Sequence, residues 1–220
     1  MQNDAYILTL PARRETPVVF SSPHSGREYP ASFLGMSVLD RQTIRSSEDA
    51  FVDELFDCAP RHGAPLLVAR APRAFVDLNR ACDELDPAVI EDVQRVAHNP
   101  RVASGLGVIP RVVAGGRSIY RGKIARIEAE RRIAQHWRPF HARLSELLAE
   151  SHAAFGQAVL IDCHSMPHEA IEGQARPGSA RPDVVLGDRF GAAVCGAVGG
   201  PVGAGFRRAG RRGRLDAPLS

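Results

Sequence analysis

The sequence predicts an α/β layered fold around a mainly parallel or mixed sheet. Two observations carry this expectation. Val18–Ser22 and Ala158–Asp162 are short apolar runs that end abruptly in polar residues, which is how buried strands of an open α/β sheet read. Segments with apolar residues at helical spacing lie between such runs.

Taken in order, the Val18–Ser22 strand runs into Pro23-His24-Ser25-Gly26. Ser46-Ser47-Glu48-Asp49 then forms a polar helix start before Phe51, Val52, Leu55 and Phe56, with Gly63 as a stop. Pro65–Ala69 and Ala74–Leu78 read as the next strands. The region Asp86–Gly116 is rich in Gly, Pro and Asn and reads as an irregular excursion over the site. Its Gly105-Leu106-Gly107 lacks the spacing of a phosphate-binding loop. A long helical pattern runs from Ile124 to His152 through Ile127, Ala134, Trp137, Phe140, Leu144, Leu147 and Leu148. Pro139 inside it implies a kink or break near Arg138. Ala158–Asp162 and Asp183–Leu186 are the last expected strands. Residues 1–191 are expected to form one domain, and the Gly/Ala/Arg-rich stretch 192–220 a poorly ordered tail.

The chain has 220 residues, 44% hydrophobic and 24% charged, enough to bury a sizeable core. Its net charge of +3 is concentrated at the end. From Arg207 onward five arginines and one aspartate contribute +4, which leaves about −1 for the rest. No basic surface follows from this, so nucleic-acid binding is not expected. No run approaches the ~18 apolar residues of a membrane helix. The N-terminus lacks the basic-then-apolar order of a signal peptide, so a cytoplasmic protein with no membrane partner is expected. The four cysteines show no CxxC spacing and are expected to be reduced.

The chemistry concentrates at the strand ends. His24 and His164 each follow an apolar run and precede a serine, as two arms of one metal or catalytic site would. His24 alone reads equally as a loop histidine. Asp162, two residues before His164, could orient the imidazole or hold water. Two histidines, one carboxylate and an open position make the pattern of a catalytic zinc site. Either Glu48 or Asp49 could supply that carboxylate, and either could be a plain helix-start acid. Asn79-Arg80 offers an amide and a guanidinium fork for a substrate carboxylate, or a surface ion pair with Asp83 or Glu84. Ser165 is a candidate nucleophile without a GxSxG elbow. His62, His98, His136, His141 and His152 read as ordinary surface or helix histidines.

These blocks resemble the N-formylglutamate amidohydrolases. The resemblance rests on Ser22-Pro23-His24-Ser25-Gly26 with Tyr29-Pro30, Asp49 with Val52-Asp53-Glu54-Leu55, and Arg73-Ala74-Phe75-Val76-Asp77-Leu78-Asn79-Arg80. It continues through Gly105-Leu106-Gly107-Val108-Ile109, Tyr120, Pro139-Phe140-His141, Ile161-Asp162-Cys163-His164-Ser165-Met166-Pro167 and Asp183–Asp188. It implies a three-layer α/β/α fold, zinc-carboxypeptidase-like (phosphorylase/hydrolase-like). It also implies hydrolysis of N-formyl-L-glutamate to formate and glutamate in histidine degradation. By the same resemblance His24, Asp49 and His164 would bind zinc or another divalent metal. Asn79 and Arg80 would grip a carboxylate of the small-molecule substrate. The alternatives are a hydrolase of another N-acyl amino acid and a member that binds without turnover. After about Gly191 the resemblance fades and no late general-base glutamate is found, as in a truncated or frameshifted end. Asp162 or Glu169 could then stand in as the base.

Overall fold

The structure, a computed structural model, describes residues 5–94, 99–167, 182–187, 204 and 208, and the backbone of 213–215. The chain divides into two compact units, 1–165 and 166–220. The first contains β1 (Tyr6–Thr9), β2 (Val18–Ser22), α1 (Ala31–Met36), α2 (Val52–Leu55), β3 (Leu66–Ala69) and α3 (Pro100–Ala103). It continues with β4 (Val112–Val113), β5 (Arg117–Ser118), α4 (Arg126–Arg132), α5 (Arg138–Phe155) and β6 (Val159–Asp162). In the second unit β7 (Val184–Leu186) pairs in parallel with β8 (Gly213–Leu215). The rest of the expected tail at 192–220 lies outside the described residues, apart from 204 and 208.

The central sheet has the order β1-β3-β2-β6. β2 runs parallel to both β3 and β6, while β1 is antiparallel to β3, so the sheet is mixed. Alternation along the strands covers both of its faces. Val19, Leu67 and Ala69 join the main core with Phe33, Phe75, Phe140 and Leu147. Val18, Phe20, Leu66 and Val68 face the other way, against Phe56, Ala59 and Ala64. Each fully buried large apolar side chain contributes roughly 1.5–3 kcal/mol.

Three expected elements come out differently. Ala74–Leu78 is not a strand. Phe75 and Val76 donate back to the carbonyl of Pro72, and the segment folds into turns. Its apolar side chains are buried all the same, so the run records burial and not sheet pairing. The helix expected from Ser46 to Gly63 is reduced to α2 and a 3-10 turn at Ala59–His62. Phe51 interrupts it from the left-handed region at φ 65°, and Gly63 ends it at φ 75°. The Ile124–His152 pattern is α4, a π-turn at Ile133–Trp137 and α5. Arg138 N–H bonds to Ile133 O, and Pro139 supplies no donor at all. The interruption demanded by Pro139 is thus a widened turn just before it. β1 was not anticipated in the sequence.

Gly26 follows the β2 turn and lies against the chain after β3. A Cβ there would stand 2.0 Å from the carbonyl oxygen of Ala71 and 2.7 Å from that of Arg70. Gly26→Ala is therefore expected to destabilise the protein by about 2 kcal/mol or more in urea unfolding. A loss under about 0.5 kcal/mol, the range of a neutral surface change, would contradict this packing.

Candidate functional site

Strand register sets the site. β2 and β6 are neighbours with Ser21 opposite Asp162, so both chains leave the sheet at the same edge. Cys163 N–H donates to Ser21 O at 2.7 Å and extends the pairing one step. His24 and His164 then stand side by side, with ring centroids 4.8 Å apart. This is the edge at which open parallel sheets place ligands.

Asp49 is the third member. Its N–H donates to His24 O at 3.1 Å, which fixes the backbone beside the first histidine. Its buried Oδ2 accepts from His164 Nδ1 at 2.8 Å and lies 3.5 Å from His24 Nδ1. The helix begins only at Val52, after the left-handed Phe51, so Asp49 is not a helix-start acid. Glu48 is engaged elsewhere, by the Tyr29 hydroxyl at 2.6 Å and by Arg45.

Each histidine turns Nδ1 inward and Nε2 outward to a second carboxylate. His24 Nε2 donates to Asp77 Oδ1 at 2.7 Å, and His164 Nε2 donates to Asp162 Oδ2 at 2.9 Å. Metal-bound histidines are held in this way. It leaves the Nδ1 lone pair of His24 buried without a hydrogen-bond partner, aimed at Asp49. Ligand atoms from His24, Asp49 and His164 lie within 4.8 Å of one another. Two imidazoles, one carboxylate and an orphaned buried nitrogen fit a divalent ion of the zinc type.

The electrostatics agree with that fit. Burial would raise the Asp49 carboxyl, but the hydrogen bond from His164 and the close approach of His24 hold it well below the usual carboxylate range. Burial also works against the Asp77 charge, and His24, Arg73 and Arg80 outweigh it, so Asp77 is an anion. Burial would lower His164. Hydrogen bonds to Asp162 and Asp49 and their charges overcome this and raise it to about 9. Positive charge is thus favoured at this spot. Cys163 differs. Burial, and then the charge of Asp162, push its thiol up to about 12, so it stays protonated and is a poor ligand. Cys58, Cys82 and Cys163 are free thiols, and Cys195 lies outside the described residues.

The other expected site residues gather here too. Asn79 Nδ2 lies 3.1 Å from His164 Nε2. Asn79 and Asp162 thus meet at one ring nitrogen, and its proton goes to the Asp162 carboxylate, because the Asn79 amide nitrogen is itself a donor. Arg80 donates from Nε to Leu106 O at 3.1 Å, and its Nε lies 3.8 Å from Asp77 Oδ2. Ser165 Oγ donates to Asp49 Oδ1 at 3.2 Å and so steadies a carboxylate. Glu169 and His98 lie outside the described residues. Asp77 is the residue that sequence reasoning missed. Its signal was the charge inside a buried apolar run, which needs partners.

Fold and site together define an α/β protein with a two-histidine, one-carboxylate candidate metal centre at its strand ends. The chain belongs to the N-formylglutamate amidohydrolase family, whose model matches residues 16–220. It is 31% identical over 188 residues to the N-formylglutamate deformylase of Pseudomonas aeruginosa, covering 82% of this chain and 62% of that protein. The Pseudomonas putida N-formylglutamate deformylase is 28% identical over 189 residues, covering 83% and 62%. This chain therefore spans about 62% of the length of these curated relatives. The crystal structure of N-formylglutamate amidohydrolase from Ralstonia eutropha matches with a TM-score of 0.89 and 34% identity, covering 98% of this chain and 78% of that one. A gene product of Agrobacterium tumefaciens shares the fold, with a TM-score of 0.64 at 18% identity over 97% of this chain and 73% of that one.

Asp77→Asn keeps the shape but loses the charge behind His24. It is expected to weaken zinc binding about 10- to 100-fold in a chelator competition, with the far-UV circular dichroism unchanged. An unaltered zinc affinity would show that Asp77 does not tune the cluster.

Proposed function

We propose that this chain hydrolyses N-formyl-L-glutamate to formate and L-glutamate, with zinc held by His24, Asp49 and His164. The observation that carries the reading is the convergence of these three ligand atoms within 4.8 Å in a member of this family. The same reading takes the fold as zinc-carboxypeptidase-like. When bound, zinc supplies Lewis-acid polarisation of a carbonyl and acidifies a water molecule.

The chain's own residues do the rest. Asp77 and Asp162 hold the Nε2 protons of the two histidines, which keeps both Nδ1 atoms facing Asp49. Ser165 fixes Asp49 Oδ1. Arg80, with one edge tied to Leu106 O, presents the guanidinium for a substrate carboxylate, and Asn79 adds its amide. Asp162 is the partly exposed carboxylate beside the cluster, and we assign it the role of proton acceptor. A substrate with two carboxylates gives a buried-edge arginine a matching charge. The small-molecule partner is thus an N-formyl amino acid. No helix among the described residues is long and apolar enough to cross a membrane.

Two measurements test this. Purified protein given zinc should release formate from N-formyl-L-glutamate, and a chelator should stop it. No release from folded, zinc-loaded protein would reject the activity. Arg80→Ala should cost about 10²-fold in kcat/KM for this substrate, through loss of a charge-assisted contact. An equal loss for an N-formyl amino acid with an uncharged side chain would argue that Arg80 grips the carboxylate common to both substrates.

A further inference from the structure

The segment that carries Asp77, Asn79 and Arg80 has no strand or helix of its own, yet three of its carbonyls are held from one side. Arg132 Nη1 donates to Phe75 O at 3.2 Å. His141 Nε2 donates to Leu78 O at 2.8 Å. Trp137 Nε1 donates to Arg80 O at 2.8 Å. All three donors come from the α4–π-turn–α5 helix.

Their spacing explains the π-turn. Arg132 and Trp137 are five apart, and Trp137 and His141 are four apart. In an uninterrupted α-helix a residue five on points about 140° away from the first. The π-turn at Ile133–Trp137 adds one residue to a turn, so the fifth residue takes the place of the fourth. Arg132, Trp137 and His141 then share one face. The face is stiff. Arg132 is fully buried, with its guanidinium 4.2 Å from the Phe75 ring centre, and it donates to the Tyr120 hydroxyl and Glu128. Trp137 and His141 stack at 4.0 Å. His136 meets Phe75 edge-on at 5.4 Å.

We propose that Arg132, Trp137 and His141 are positioning residues that set the Asp77–Arg80 segment for ligand binding, and that the π-turn aligns them. They touch carbonyls, not substrate, and act through Asp77, Asn79 and Arg80. Their effect on affinity rests on the substrate role given to Asn79 and Arg80 above.

The test uses the zinc-loaded full chain. Trp137→Phe removes one donor and keeps a ring on His141. His141→Leu removes another, and His141→Gln restores a donor. Amide hydrogen exchange at residues 77–80 should speed up about five- to tenfold in Trp137→Phe and His141→Leu, as for one lost hydrogen bond, and return towards the parent value in His141→Gln. KM for N-formyl-L-glutamate should rise by a similar factor, with kcat within about twofold. Unchanged exchange in both variants overturns the proposal. So does faster exchange spread over the whole domain, which marks a merely structural role. If the parent protein shows no turnover, the exchange pattern still decides the positioning claim, and only the substrate reading falls.

Discussion

A fully buried carboxylate must find partners, and Asp77 organises this molecule by needing four. It has no exposed surface and accepts from His24 Nε2, Arg73 Nε and the N–H of Asn79, with Arg80 close by. Removing one partner would leave a buried charge uncompensated, at a cost of about 3–5 kcal/mol. The sheet edge that holds His24 and the turn that holds Asn79 and Arg80 are thereby locked to one atom group. The histidine tautomer, the direction of its lone pair and the place of the arginine follow from that lock.

The rest of the fold supplies the frame for it. Parallel pairing of β2 with β6 delivers the two histidines to one edge. The Asp49 N–H to His24 O bond brings the third member of the cluster in from a stretch of chain that is not helical. Phe51 holds left-handed backbone two residues after Asp49, a conformation with a cost of order 1–3 kcal/mol that tends to persist near functional sites. On the far side of the Asp77 segment, the π-turn helix provides the donors its carbonyls lack in the absence of a strand partner.

Much of this was legible in the sequence. The strands before His24 and His164 and the break near Pro139 came from apolar runs and proline chemistry, which are local. His24 and His164 meet because strand-end residues of parallel neighbours converge at one edge, whereas Asp49, Asn79 and Arg80 reach that edge from turns. What was hidden is non-local. Ala74–Leu78 has the composition of a strand but spends its burial in turns, since burial and pairing leave the same apolar signature. His141 reads as one of several helix histidines, and only the added residue of the π-turn puts it under Leu78 O. Asp77 reads as part of the end of an Ala74–Leu78 strand, and nothing in local sequence says that His24 lies behind it.

The central claim is that His24 and His164 present Nδ1 to a metal shared with Asp49. A crystal structure of the zinc-loaded protein, with data at the zinc absorption edge, tests it most directly. The account predicts one anomalous peak about 2.0–2.2 Å from His24 Nδ1, His164 Nδ1 and an Asp49 oxygen, with Asp77 and Asp162 still on the Nε2 atoms. A peak at the Nε2 side, or at other residues with the Asp77–His24 pair undisturbed, would contradict it.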